Sequence, residues 1–216
     1  MYTKAVNAII FDFDGTIANS FDEVLAFMLK VSRKDLAQLG LEKQDLKSLS
    51  MKDLALKVGV PWWRLPLLYF EGKRVLKKRM HTVPVFDGMS EVLKSLHDEQ
   101  YRLYIISSNS RSNINRFLAE NGLSGYFIKV YGNAGWFGKA SILRRALKKN
   151  KLEADKTVYV GDEVRDVIGA KLAGMPCIAV NWGFGSESNL LQYNPTVLVR
   201  TPGELQKALV DWGKSV

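Results

Sequence analysis

Ile9-Ile10-Phe11-Asp12-Phe13-Asp14-Gly15-Thr16 is the stretch from which the fold is read. The apolar run from Ala8 to Phe11 reads as a strand buried on both faces, and it runs straight into two carboxylates. Residues two apart on a strand point to the same side, so Asp12 and Asp14 can converge where the strand ends. Two close carboxylates repel unless a cation or a proton lies between them. Gly15 then permits a sharp backbone departure, with Thr16 beside it. An acidic Asp-Gly turn would explain the tetrapeptide alone. The rest of the chain decides between that turn and a metal-assisted reaction centre.

Working outward, the first strand covers residues 5–13. Apolar residues Phe21, Val24, Leu25, Met28 and Leu29 recur at helical spacing from a Ser20 N-cap. The spacing predicts one helix to about Leu39, closed by Gly40. Further helical stretches are expected at Glu42 to Leu46 and from Ser50 onward, a break at Gly59-Val60-Pro61, and a helix from Trp62 to Met80 bent at Pro66. His81 to Pro84 reads as an extended return. Residues 17–83 therefore form a helical block with no convincing strand.

From Val85 the pattern alternates. Helices at Gly88–Leu96, Arg111–Asn121, Lys139–Lys149 and Val164–Ala173 precede strands at 102–106, 127–131, 157–160 and 177–180. A last strand at 197–199 leads into a helix at Pro202–Trp212. Such alternation means an α/β fold, a Rossmann-like parallel sheet with helices on both faces. The expected organisation is a catalytic core of residues 1–16 and 84–216, with a small all-helical cap, 17–83, inserted after the first strand.

In open parallel sheets the active crevice lies beyond the carboxyl ends of the strands. Polar groups stand at four such ends: Asp12 and Asp14; Ser107-Ser108-Asn109; Lys139 behind Gly135 and Gly138; and Gly161-Asp162-Glu163-Val164-Arg165-Asp166. In this order and spacing they resemble the four motifs of the haloacid dehalogenase (HAD) superfamily. The helical insert resembles the cap of its phosphoglycolate phosphatase-like and β-phosphoglucomutase-like members.

The resemblance implies a phosphatase working through an aspartyl-phosphate, with Asp12 as nucleophile and Asp14 as the acid and base that moves protons. It implies Mg2+ held by Asp12, the Asp14 main-chain carbonyl and Asp162, all hard oxygen donors. Asp166 would orient metal waters or Lys139 from outside that shell. Ser107 would donate to a phosphoryl oxygen, helped by main-chain N–H groups around Ser108 and Asn109, and Lys139 would neutralise the phosphoryl group. Glu163 is a further possible contact. Lys139 is followed by Ala140 where many relatives carry proline; the lysine supplies the chemistry, so activity is still expected.

The expected substrate is a small phosphorylated metabolite, a phosphoglycolate-like compound or a sugar phosphate. A phosphomutase of β-phosphoglucomutase type is the alternative, followed by a non-catalytic regulatory protein on the same scaffold. The intact motif set argues against the latter. Lys47, with Lys52 behind it, is the cap residue expected to meet an anionic part of the substrate, since residues 22–83 hold thirteen Lys/Arg against seven Asp/Glu.

Composition sets the remaining bounds. The 216 residues, 47% hydrophobic, suffice for one α/β core plus an insert. The net charge of +9 is spread over several helices and forms no tail, and basic stretches lack interleaved aromatics, so no nucleic-acid partner is expected. One cysteine, Cys177, suits a reducing compartment, and no apolar run approaches a membrane span of about 20 residues. A cytoplasmic protein without membrane partner, monomer or homodimer, is the expectation. Trp62-Trp63-Arg64 reads as a cap core element or an exposed contact, and aromatics at helical spacing are more often packing than recognition. The two histidines, His81 and His97, are too isolated for a metal pair.

Overall fold

The computed structural model describes residues 6–46, 49, 51–64, 68, 71–72, 75, 79–134 and 138–213. Six parallel strands, β1 (Ala8–Phe11), β2 (Arg102–Ile106), β3 (Phe127–Tyr131), β4 (Thr157–Gly161), β5 (Cys177–Val180) and β6 (Val197–Val199), stand in the order β3-β2-β1-β4-β5-β6. The winding reverses at β1, where one half of the sheet grows toward β3 and the other toward β6. That reversal opens a crevice beyond the end of β1, where Asp12 stands.

The strands read as continuous apolar runs because both faces are covered. Ile9 and Phe11 share one core with Leu103, Ile105, Val158, Val160, Ile178 and Val180. Ala8 and Ile10 enter the opposite core with Tyr104, Ile106, Tyr159, Cys177 and Ala179. Alternate residues of each strand thus feed opposite layers, as a period of two requires. The second layer also holds the helices that begin at Lys139 and Val164, through Leu143, Ala146, Leu147, Val167 and Ala170. Asp12 follows Ile10 in phase, so it faces the layer that supplies Lys139 and Asp166.

Between β1 and β2 the chain forms α1 (Phe21–Ser32), α2 (Leu36–Leu39), α3 (Lys43–Leu46) and α4 (Met51–Lys57). The single helix expected from Ser20 to Leu39 is two. Arg33 takes a left-handed conformation, φ 56°, that ends α1, and Asp35 accepts from the Gln38 N–H to cap α2. Gly40 closes α2 as expected. Residues 68, 71, 72, 75 and 79 are helical, but the bend at Pro66 falls outside the described residues. Met80–Thr82 is a 3-10 turn, so the extended return begins at Val83 rather than His81. Trp62 and Trp63 are 55% and 66% exposed, which favours the exposed reading over the cap core. They sit in a 3-10 turn, where consecutive side chains diverge and cannot share one buried face.

Phe21, Leu25, Met28, Leu54, Val58 and Leu68 make a cluster of their own, joined to the α/β layers through Phe184. The chain leaves and re-enters the sheet side by side: Ala18 and Val85 form an antiparallel bridge, and the Asn19 N–H donates to the Pro84 carbonyl at 2.9 Å. Beyond Val85 follow α5 (Met89–Asp98), α6 (Arg111–Glu120), α7 (Lys139–Lys149), α8 (Val164–Leu172), α9 (Glu187–Gln192) and α10 (Pro202–Gly213). All were expected except α9, a six-residue helix capped by the Ser186 hydroxyl. Among the described residues no helix is long and apolar enough to cross a membrane.

Candidate active site

Four chain segments meet beyond the end of β1. Asp12 is 2% exposed; its Oδ1 accepts from the Phe13 N–H at 2.8 Å, and its Oδ2 accepts from Lys139 Nζ at 2.6 Å. Lys139 opens α7 behind Gly138, whose φ of 97° turns the chain into the helix. Its ammonium also pairs with Asp166 Oδ1 and lies 5.0 Å from the Tyr159 ring centroid. The second oxygen of Asp166 accepts from the Asp162 and Glu163 N–H groups at 3.1 and 3.0 Å. Asp166 is thereby fastened to the start of α8 and paired with Lys139.

Asp162 is fully buried and equally well held. Thr16 Oγ1 donates to its Oδ1 at 2.8 Å and the Phe184 N–H to its Oδ2 at 2.8 Å. The glycine in the opening motif is set by this residue. Gly15 sits at φ 78°, and a Cβ on it would collide with the Asp162 carboxylate.

Asp12, Asp162 and Asp166 bring carboxylate oxygens within 4.8 Å of one another. Burial alone would push Asp12 up, but the Lys139 and Arg165 charges outweigh it and hold the carboxyl below its usual range. Burial opposes the Lys139 charge in turn, and Asp12 and Asp166 more than restore it. The unbalanced repulsion falls on Asp162, which burial and the neighbouring Glu163, Asp166 and Asp12 push well above the carboxylate range. Asp12, Asp162, Asp166 and the adjoining Glu163 outnumber the two cationic groups, Lys139 and Arg165, and every possible ligand atom is a hard oxygen. The cluster fits a divalent cation of the magnesium type.

Asp14 is differently placed. It is half-buried, and Asn109 Nδ2 donates to its Oδ2 at 3.0 Å and lies 3.3 Å from Oδ1. Burial and the charge of Asp12 push it up to about 6, a value at which a carboxyl can hold a proton near neutrality. Ser107, 1% exposed at the end of β2, uses Oγ to accept from the Asn109 N–H at 3.1 Å, and its O–H remains to donate. The Asn109 main chain is thus turned to Ser107, and its side chain, for which only a main-chain part was expected, reaches Asp14.

Glu163 accepts from Arg165 Nη2 at 2.7 Å and so faces a guanidinium. Lys47 lies outside the described residues, as does Gly135; Lys52 stacks its ammonium 5.6 Å from the Trp62 ring. Thr16, Tyr159 and Arg165 were not assigned parts from sequence, although each lies inside or next to a motif. The visible sign for Tyr159 was its place two residues before Gly161 on β4, on the same face as that strand end. Arg165, one helical position before Asp166, weighs on Asp12, Asp14 and Asp166 alike, lowering each. A small cleft lined by Asn19, Phe21, Phe86, Trp182 and Phe184 opens beside Gly15.

A buried carboxylate paired with a lysine, a second acid raised to about 6 two residues on, and three acids whose oxygens could hold a metal ion meet at one sheet switch point, an arrangement that suits hydrolysis of phosphate esters. The chain belongs to the haloacid dehalogenase-like hydrolase family, whose family model matches residues 9–180. It is 31% identical to the phosphoglycolate phosphatase of Synechococcus elongatus over 94% of this chain and 97% of the relative. It is also 27% identical to a Pseudomonas aeruginosa 5'-nucleotidase over 87% and 88%. In fold it is similar to a Clostridium acetobutylicum protein described as a predicted phosphatase, with a TM-score of 0.78 at 24% identity over 96% and 100% of the two chains. The chain is a phosphatase-type enzyme of this family.

Proposed function

We propose that this enzyme hydrolyses a small phosphorylated metabolite, phosphoglycolate or a compound like it, with Mg2+ and through an aspartyl-phosphate on Asp12. The observation that carries the reading is the division of labour between two acids two residues apart. One is held ionised by Lys139; the other is raised to about 6 and faces no ammonium. The near full-length similarity to a phosphoglycolate phosphatase supports the substrate class.

In the first half-reaction Asp12 Oδ attacks phosphorus, the bond to the leaving oxygen breaks, and the Asp14 proton passes to that oxygen. In the second, Asp14, now ionised, takes a proton from water; the water oxygen attacks phosphorus and the bond to Asp12 breaks. Phosphate leaves, and Asp14 has its proton back. Lys139 neutralises the phosphoryl oxygens and the Ser107 hydroxyl donates to one of them, so charge moving onto the phosphoryl group finds donors already in place. Asp12, Asp162 and the Asp14 carbonyl would hold the Mg2+, with Asp166 fixing Lys139 beside it. When bound, the ion supplies neutralisation of the phosphoryl charge.

Residues 17–83 act as the cap and residues 1–16 and 84–216 as the core, with the paired crossings at Ala18 and Val85 as the joint between them. Closure over the end of β1 excludes water from the transferring group. Lys47 of the cap would meet the substrate's second anionic group.

The test is phosphate release from phosphoglycolate, sugar phosphates and nucleotides, with and without Mg2+. Phosphoglycolate is expected to give the highest kcat/KM, with release stopped by a chelator and restored by magnesium. Undiminished turnover in excess chelator would overturn the metal assignment, and a sugar bisphosphate requirement would favour the mutase.

A further inference from the structure

Asn109 and Asn113 form a chain of amides leading to Asp14, and its polarity is fixed at one end by the backbone. The Ser110 N–H lies 2.7 Å from Asn109 Oδ1. A main-chain N–H can only donate, so that end of the amide is the oxygen. Asn113 Nδ2 donates to the same oxygen at 3.0 Å. With its oxygen held from two sides, Asn109 must present the NH2 end to Asp14, 3.0 Å from Oδ2.

Both amides are buried, 3% and 1% exposed. Their backbones are anchored as well. The Asn113 N–H caps onto Ser110 Oγ at 3.2 Å, and the Asn133 N–H holds the Asn109 carbonyl at 2.7 Å. The buried Ser20 hydroxyl comes near the same Asp14 carboxyl without a hydrogen bond of good geometry.

We propose that Asn109 and Asn113 are positioning residues that aim the Asp14 carboxyl at the leaving oxygen, an inference that rests on Asp14 being the proton donor proposed above. The chemistry suits an acid that must cycle. An amide nitrogen donates but does not accept a proton, so it holds the carboxyl in both protonation states, nearest Oδ2 at 3.0 Å and 3.3 Å from Oδ1, without competing for the acidic proton. A lysine in its place would hold Asp14 ionised, and a carboxylate would compete for the proton. Asn113 touches no reacting atom; it acts only by keeping the Asn109 amide from rotating.

The experiment compares kcat/KM for phenyl phosphate and 4-nitrophenyl phosphate, with magnesium, in wild type, Asn109→Ala and Asn113→Leu. Phenolate is as basic as a tyrosine side chain, about 10, and needs the proton; 4-nitrophenolate is a far weaker base and needs it much less. General acid catalysis contributes about 10²–10⁴-fold, so a misaimed acid should cost the phenyl ester about tenfold more than the nitrophenyl ester in Asn109→Ala. A smaller shift of the same sign, about threefold, is expected in Asn113→Leu, which keeps the side-chain shape and removes the donor. An equal fall on both esters, or an unchanged ratio in a variant with wild-type circular dichroism, would overturn the relay. Should Asn109→Ala fail to fold, the Asn113→Leu ratio alone decides. Wild type that releases phosphate from neither ester would sink the phosphatase reading itself, and the relay with it.

Discussion

Asp12 and Asp14 stand two residues apart at the end of one strand, yet the molecule treats the two sides of that strand end in opposite ways. On the side of β4 and α7, Asp12, Asp162, Asp166 and Lys139 are buried and locked by short hydrogen bonds, with acids outnumbering the ammonium. On the side of β2 and α6, Asp14 is half-buried, touched by the neutral Asn109 amide, and raised to about 6. The first side gathers acids around Lys139 and fits a cation; the second carries an acid raised to about 6 with no ammonium against it. In the proposed reaction one side would stabilise charge and the other move protons, and the difference follows from what each flanking helix start places there.

The largest expected effect breaks the first side. Asp12→Asn removes the nucleophile while keeping its shape and the hydrogen bond from Phe13. Phosphate release from 4-nitrophenyl phosphate should fall by on the order of 10⁴-fold or more, with the circular dichroism unchanged. Wild-type turnover in that variant would end the nucleophile assignment, and the contrast between the acids with it.

Lys139→Met tests whether the fixed side depends on its ammonium for stability as well as for chemistry. Removing one partner of a buried ion pair strands the others, here Asp12 and Asp166, at a cost of about 3–5 kcal/mol. Urea denaturation in chelator should show that loss, and magnesium should recover part of it because the stranded acids can face a cation. Equal stability of variant and wild type in chelator would mean that the cluster is solvated and not short of positive charge.

How far these features were legible in the sequence follows the same physics. The strand ends were readable because each motif joins an apolar run, fixed in phase by the period of two, to a polar residue at its end. That is why Asp12, Asp162 and Lys139 meet where expected. The α1 to α2 break was not readable, since Arg33 carries no glycine signal and only tertiary packing fixes its left-handed φ. The exposure of Trp62 and Trp63 depends on a 3-10 turn, and α9 on a six-residue helix too short for a periodic signal. The side chain of Asn109 was missed for another reason. Its reach to Asp14 needs the pairing of β1 with β2, which spacing along the chain does not give.

The smallest expected effect has the opposite sign on stability and isolates the proton side. Asp14 has a folded value of about 6 against an ordinary 3.8, so in the metal-free protein the native state binds more protons than the unfolded chain between those values. Its contribution to stability is present below about pH 4 and is lost as pH rises through 6. Asp14→Asn removes the ionising group, so the variant should be more stable than wild type above pH 6. A full two-unit shift would correspond to about 3 kcal/mol, and partial exposure reduces this to about 1–2 kcal/mol. Below pH 4 the two proteins should converge, because a protonated carboxyl and an amide are alike in charge and volume. Urea titrations in chelator at pH 4 and pH 7.5 measure the difference directly. A variant less stable than wild type at pH 7.5 would show that Asp14 is held as a carboxylate, and the two sides of the strand end would then differ in burial but not in charge.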